Sequence, residues 1–259
     1  MSDDLLVVVA GGIARVTLNR PAARNALTFA MYDRLVEFCA EAGRDPSLRA
    51  VIVSGAGGAA FAAGTDISQF RTFAQPEDAL QYEERIDRAV DALERCAVPT
   101  IAALAGACTG AGAALALACD LRIAAANLRF GIPVARTLGN CLSMSNYARL
   151  VFLLGAARAK EILLTARLVA AEEARAIGLV SEVLPDADAL GARAEELARL
   201  VAGHAPLTLR ASKEAMLRLR PRVAKGEGDD LVLMCYMSED FREGMTAFLE
   251  KRPARFQGK

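Results

Sequence analysis

The 259-residue chain carries 31 Lys and Arg against 31 Asp and Glu, a formal net charge of zero, and is 54% hydrophobic but only 5% aromatic. That composition excludes a disordered chain, which is more polar and more charged, and argues against a general binder of nucleic acid or anionic membrane, which carries a basic surface. A single histidine, His204, argues against a multi-histidine metal site or a His-centred triad. The length suits one large domain, or a domain with an appendage, with a sizeable core.

In chain order, Leu5–Val9 and Ile13–Leu18 are β-rich runs joined by the hairpin signal Ala10-Gly11-Gly12. Thr28 opens a helix whose apolar face is Met31, Leu35, Phe38, Cys39 and Ala42, with Gly43 as its stop. Ala50–Val53 reads as a short buried strand, followed by a Gly/Ala-rich loop over Gly55–Gly64. From Glu77 to Arg95 charged and apolar positions alternate at helical spacing. A strand at Thr100–Leu104, a helix over Ala113–Ala118 and a strand at Leu121–Ala125 come next. Beyond Ser143 the pattern is helical apart from a strand near Leu179–Leu184, with helices expected over Ala187–His204, Pro206–Leu219 and Asp229–Lys251. Strand–strand–helix units followed by a helical C-terminal third give an α/β fold, one core with a helical appendage and no Pro/Ser-rich linker.

The six cysteines contain no C-x-x-C pair and sit in apolar settings, which predicts buried thiols in a reducing compartment. The N-terminal Met1-Ser2-Asp3-Asp4 lacks the basic start of a signal peptide, so a cytoplasmic protein is expected. The uncharged run from Cys96 to Cys119 is long enough to span a bilayer. Its Ala-rich composition and the break at Gly106 to Gly112 instead predict a strand and a helix inside a core, and no membrane partner.

Two glycine loops precede helix signals, Phe61-Ala62-Ala63-Gly64-Thr65-Asp66-Ile67 and Gly106-Ala107-Cys108-Thr109-Gly110-Ala111-Gly112. Small residues let backbone approach a ligand, and a helix N-terminus presents unpaired N–H groups and partial positive charge. Two such N–H groups converging on one oxygen form an oxyanion hole. The competing reading is a pair of tight turns with close helix packing, because neither loop fits a phosphate or dinucleotide fingerprint.

These residues carry a resemblance to the crotonase superfamily, the enoyl-CoA hydratases and isomerases, over nearly the whole chain. The matching segments are Leu18-Asn19-Arg20-Pro21 with Arg24-Asn25-Ala26-Leu27, the first glycine loop, Pro99-Thr100-Ile101-Ala102-Ala103 through Gly110-Ala111-Gly112 to Cys119-Asp120, Phe130-Gly131-Ile132-Pro133, Ala174 with Gly178-Leu179-Val180, and Phe248-Leu249-Glu250-Lys251-Arg252-Pro253. Each is weak alone; their order and spacing together are specific. The resemblance implies a crotonase-like ββα spiral over residues 1–200 and a helical oligomerisation region over 201–259, assembling as a homotrimer or hexamer. It implies an acyl-CoA substrate and no cofactor beyond the coenzyme A of that substrate. The thioester oxygen would sit between the N–H groups of Thr65 and Ala111, and the CoA along Arg24, Ala63, Asp66 and Ile67, with Gly110 and Pro133 beside the acyl group and Lys251 as a further cation. A solvated surface charge is the competing reading for Lys251, and capping of its loop is the expected role of Asp66.

Hydratases of this family use two glutamates. The resemblance places the first at Ala114 and the second at Val134, so both carboxylates are absent. A positioned acid or base contributes roughly 10²–10⁴-fold, so ordinary hydratase activity is expected to be very low. The leading expectation is an acyl-CoA enzyme of the enoyl-CoA hydratase/isomerase type that stabilises a thioester enolate, its exact reaction unassigned and decarboxylation or another lyase step one option, with a catalytically silent acyl-CoA-binding homologue and an acyl-CoA hydrolase as alternatives. Glu83, Glu84 and Asp87 offer replacement carboxylates but read as an exposed charged helix face. Arg136 could hold an acyl carboxylate, while Asn140 and Ser143 follow Val134 along the same stretch of chain. Cys141 reads as buried core for want of a basic partner, and His204 as a contact between helices.

Overall fold

The computed structural model describes residues 4–73 and 75–259. Strands β1 (Leu5–Ala10) and β2 (Ile13–Leu18) are followed by α1 (Phe29–Ala42), β3 (Ala50–Gly55), β4 (Ala60–Ala63) and α2 (Pro76–Glu94). Then come β5 (Thr100–Leu104), β6 (Ala107–Thr109), α3 (Ala111–Ala118), β7 (Leu121–Ala125), β8 (Arg129–Gly131), α4 (Val134–Thr137) and α5 (Met144–Thr165). The remainder is β9 (Val169–Ala170), α6 (Ala171–Ala176), β10 (Glu182–Leu184), α7 (Ala187–Ala202), α8 (Pro206–Leu219), α9 (Asp229–Tyr236) and α10 (Glu239–Leu249).

The strands divide between two sheets. One has the order β1-β2-β3-β5-β7-β10 and the other β4-β6-β8-β9. Successive pairs β3–β4, β5–β6 and β7–β8 each give one strand to each sheet before a helix follows, which is a spiral of ββα turns. Within each sheet these strands pair in parallel. The hairpin forms as expected, with Ala10 opposite Ile13 and both Gly11 and Gly12 at positive φ, the geometry that matches strand twist.

Strand alternation splits the core in two. Val51, Val53, Ala102 and Leu104 face the main core between the sheets, whereas Ala50, Ile52, Ile101 and Ala103 face Leu190, Ala194, Ala198 and Val201 of α7 on the outer side. Small residues allow the close fit of α3: a Cβ on Gly112 would stand 2.3 Å from the carbonyl oxygen of Ala62. The uncharged run from Cys96 to Cys119 becomes β5, β6 and α3, and no described helix is long and apolar enough to cross a membrane.

Four expectations need correction. The loop over Gly55–Gly64 contains β4, and the whole second sheet went unread because its strands are two to four residues long and poor in β-branched residues. The helix after Gly112 begins earlier, at Ala111. The helix expected over Asp229–Lys251 is two, because the Ser238 hydroxyl caps a new start by accepting from the Phe241 N–H. Glu83, expected on an exposed face, is buried. It lies on the stripe Ala79, Tyr82, Ile86, Val90 and Leu93 that α2 turns inward.

Candidate active site

The two glycine loops meet. A Cβ on Gly110, which has φ +54°, would touch the Cα of Gly64 at 3.4 Å. The register of β4 on β6 sets Ala62 opposite Cys108 and Ala63 opposite Thr109, two residues before Thr65 and Ala111. Across the strand, Leu27 donates to the Gly64 carbonyl at 2.8 Å and accepts from the Asp66 N–H at 2.8 Å. In such a parallel bridge the N–H of Thr65 points away from Leu27. Ala111 is the first residue of α3, so its N–H has no acceptor within the helix.

Both residues line a cavity of about 140 Å³, together with Ala63, Gly64, Ile67, Gly110, Ala114, Pro133 and Val134. The remaining wall comes from α2 and from residues between α4 and α5, including Tyr82, Glu83, Ile86, Asn140, Cys141 and Leu142. Ala114 is buried and Val134 half-buried, so the two positions expected to matter present methyl groups to the cavity.

Hydroxyls brace the Thr65 side. The Thr65 Oγ1 hydrogen-bonds the Tyr32 and Tyr82 phenols, each at 2.7 Å. Burial pushes both phenols above their ordinary pKa, so they stay neutral donors.

The opposite wall carries Glu83, the only carboxyl group on the cavity among the described residues. Tyr236 of α9 donates to its Oε1 at 2.5 Å, and the Asn140 Nδ2 donates to the Tyr236 hydroxyl at 2.9 Å. The Oδ1 of Asn140 is buried and accepts nothing. Burial pushes the Glu83 carboxyl up to about 8, helped by the negative charge of Asp87 and opposed by hydrogen bonds from Tyr236 and the Ser143 backbone. Sequence reasoning passed over the partner, Tyr236, which lies 153 residues away in the chain.

The other expected residues are placed as follows. Asp66 caps the turn Ile67–Thr72, accepting from the Ser68 N–H at 3.1 Å, and pairs with Arg20 at 2.8 Å; hydrogen bonds from Ser68 and Arg20 outweigh burial and lower its pKa. Arg24 is exposed with φ 51°, its carbonyl accepting from the Ala63 N–H at 3.1 Å, and Lys251 is exposed with φ 55°. Arg136 is exposed on α4, away from the cavity wall. Asp87 accepts from Ser143 at 2.7 Å and Asn146 at 3.0 Å, and Glu84 is exposed and pairs with Lys225 at 3.1 Å. Cys141 is a buried thiol donating to the Leu231 carbonyl, held above its ordinary pKa by its hydrogen bond with Cys235 and by burial. The His204 side chain is exposed and its carbonyl accepts from Arg49 at 2.9 Å. Among the described residues no cluster of His, Cys, Asp or Glu is placed to hold a metal.

Two sheets wound through ββα turns, with the cavity where β4 and β6 run into Thr65 and α3, define a protein of the crotonase fold. The chain belongs to the enoyl-CoA hydratase/isomerase family, whose family model matches residues 9–259. It is 35% identical over 260 residues to the 2,3-dehydroadipyl-CoA hydratase of Escherichia coli, covering 99% of each chain. It is 34% identical over 247 residues to the short-chain-enoyl-CoA hydratase of Clostridium acetobutylicum, covering 93% of each. The crystal structure of an enoyl-CoA hydratase/carnithine racemase from Magnetospirillum magneticum matches with a TM-score of 0.80 at 37% identity, covering 100% of this chain and 97% of that one.

Proposed function

We propose that the protein binds an acyl-CoA and stabilises the enolate of its thioester between the N–H groups of Thr65 and Ala111. The observation that carries this reading is the contact between the two glycine loops at one cavity that both Thr65 and Ala111 line. A backbone donor does not depend on its side chain, so Thr and Ala serve equally well, and each such donor is worth on the order of 3 kcal/mol of barrier. The CoA follows Arg24, Ala63, Asp66 and Ile67. The names of the relatives, all acting on unsaturated acyl-CoA esters, support this substrate class.

The reaction itself is one that does not need carboxylates at Ala114 and Val134. Decarboxylation of a malonyl-type CoA fits: the C–C bond breaks, carbon dioxide leaves, and the electron pair rests on the thioester oxygen. The apolar faces of Ala114 and Val134 favour such a step over water activation. They are also what a silent acyl-CoA binder would show, and this is the second reading. Self-association as a trimer or pair of trimers is supported by the exposed Phe152, Leu164, Leu207, Met216, Leu219 and Met234.

Purified protein mixed with crotonyl-CoA, a 3-enoyl-CoA and a malonyl-type CoA tests the proposal by absorbance and mass. Turnover of the malonyl-type ester, with crotonyl-CoA hydrated at least 100-fold more slowly, is expected. Binding of all three with no turnover moves the conclusion to the silent binder. Absence of any CoA affinity overturns both readings.

A further inference from the structure

We infer that Glu83 is the acid–base residue of this cavity, exchanging a proton with the α-carbon of the bound acyl thioester. The inference rests on the acyl-CoA reading above and adds the group that moves the proton. Thr65, Ala111 and Glu83 share one cavity of about 140 Å³, so an acyl group held at the two N–H donors lies against the Glu83 carboxyl. The two walls are also tied directly: Tyr82, the neighbour of Glu83 on α2, hydrogen-bonds the Thr65 hydroxyl.

The carboxyl is built in rather than left over. A buried charge with no partner is costly and is normally removed by pairing or by protonation. Among the described residues no cation pairs with Glu83: Arg149, the buried cation beside α2, is committed to Asp91 and Glu94. The groups facing Glu83 from the surrounding elements are instead acids or neutral donors. They are Asp87 and Tyr82 on α2, Cys141, Tyr147 on α5, Tyr236 on α9, and Tyr32 on α1. The carboxyl accordingly titrates near 8 and holds its proton at neutral pH. The hydrogen-bond chain from Asn140 through Tyr236 fixes Oε1 and places a donor on it that strengthens when the carboxyl ionises. Tyr236 and Asn140 are positioning residues.

The step balances with no further reagent. Protonation breaks the O–H bond of Glu83 and forms the C–H bond at the α-carbon. The thioester enolate loses its negative charge to the carboxylate, and water later returns a proton to Glu83. In reverse, the carboxylate removes an α-hydrogen and the electrons pass to the thioester oxygen held by Thr65 and Ala111. This is the group that the apolar Ala114 and Val134 do not supply.

Incorporation of deuterium at the α-carbon of butyryl-CoA in heavy water, read by mass spectrometry, tests it without needing the natural substrate. The wild-type protein is expected to exchange, with a rate rising to a plateau above pH about 8 as Glu83 ionises. Glu83→Gln keeps size and neutrality, and is expected to lose at least 100-fold in exchange while its butyryl-CoA Kd changes less than threefold. Tyr236→Phe removes a hydrogen bond that favours the carboxylate, so its exchange midpoint moves to higher pH, which a purely structural tyrosine would not cause. Binding without exchange by wild type, or exchange undiminished in Glu83→Gln, overturns the assignment of Glu83 and leaves the acyl-CoA reading standing. Failure of wild type to bind butyryl-CoA overturns the acyl-CoA reading and the role of Glu83 with it.

Discussion

The two walls of the cavity at Thr65 and Ala111 are made in different ways. On one side the polar groups are backbone amides, set by strand register and by glycines that let β4, β6 and α3 close on one another. On the other they are side chains of Glu83, Tyr236 and Asn140, brought together from α2, α9 and the segment before α5. A backbone wall keeps its chemistry through changes of side chain as long as the fold is kept, which is why Thr65 and Ala111 are acceptable there. A side-chain wall is free to change, and at Ala114 and Val134 it carries no carboxylate where the family resemblance expects two.

The largest effects are expected where the side-chain wall is anchored. Arg149 is buried, pairs with Asp91 and Glu94 of α2 and donates to the Asn146 Oδ1 at 3.0 Å, and so ties α5 to the helix that carries Glu83. Arg149→Ala leaves Glu94 with Arg220 as its remaining cation, half-exposed Asp91 without its partner and the Asn146 Oδ1 without its donor, and a loss of about 3 kcal/mol is expected in urea unfolding. A loss below about 1 kcal/mol would separate the placement of α2 from this ion pair.

Glu83 itself gives stability a pH dependence of definite sign. Its carboxyl rises from 4.5 to about 8 on folding, so within that window the folded chain holds a proton that the unfolded chain has released. The contribution is complete below the lower value and is lost as pH rises, at about 1.4 kcal/mol per pH unit. Urea unfolding between pH 5 and 8 should therefore be flatter in Glu83→Gln than in wild type by about that slope. Parallel curves would mean that Glu83 is already ionised in the folded protein.

How much was legible follows the same division. The hairpin, the α1 face and its Thr28 cap, β5, β7 and α8 follow from local pattern, whereas Thr65 and Ala111 stand out in the glycine loops only through the family resemblance. The second sheet was not legible, because three-residue strands owe their state to neighbours in space. Glu83 was half legible: it sits four residues after Ala79 and three before Ile86, on the inward stripe, yet a glutamate amid Glu84, Arg85 and Asp87 reads as solvated. Only the contact with Tyr236, from a helix whose own boundaries were misread, identifies what that stripe faces.

The backbone wall yields the next test. Gly112→Ala would put a methyl 2.3 Å from the Ala62 oxygen, so α3 must move away from β4 and carry the Ala111 N–H with it. Overpacking of this kind costs about 1–3 kcal/mol, and a displacement near 1 Å at a reacting centre costs about 100-fold in rate. Turnover falling no more than stability predicts would mean that the Ala111 amide is not at the reacting oxygen.

The smallest effect is the one that best separates amide from side chain. Thr65 holds two buried phenols through its Oγ1 while its own N–H points away from Leu27. Thr65→Val keeps the shape and the amide but removes the hydroxyl, leaving the Tyr32 and Tyr82 hydroxyls without that partner. Unfolding free energy is expected to fall by about 1–3 kcal/mol, with kcat/KM for the turned-over ester changing less than about tenfold. Stability and catalysis part company at this residue only if the donor is the amide. A 100-fold drop in kcat/KM with the fold intact would move the chemistry to the hydroxyl, and the two walls would then both be side-chain walls.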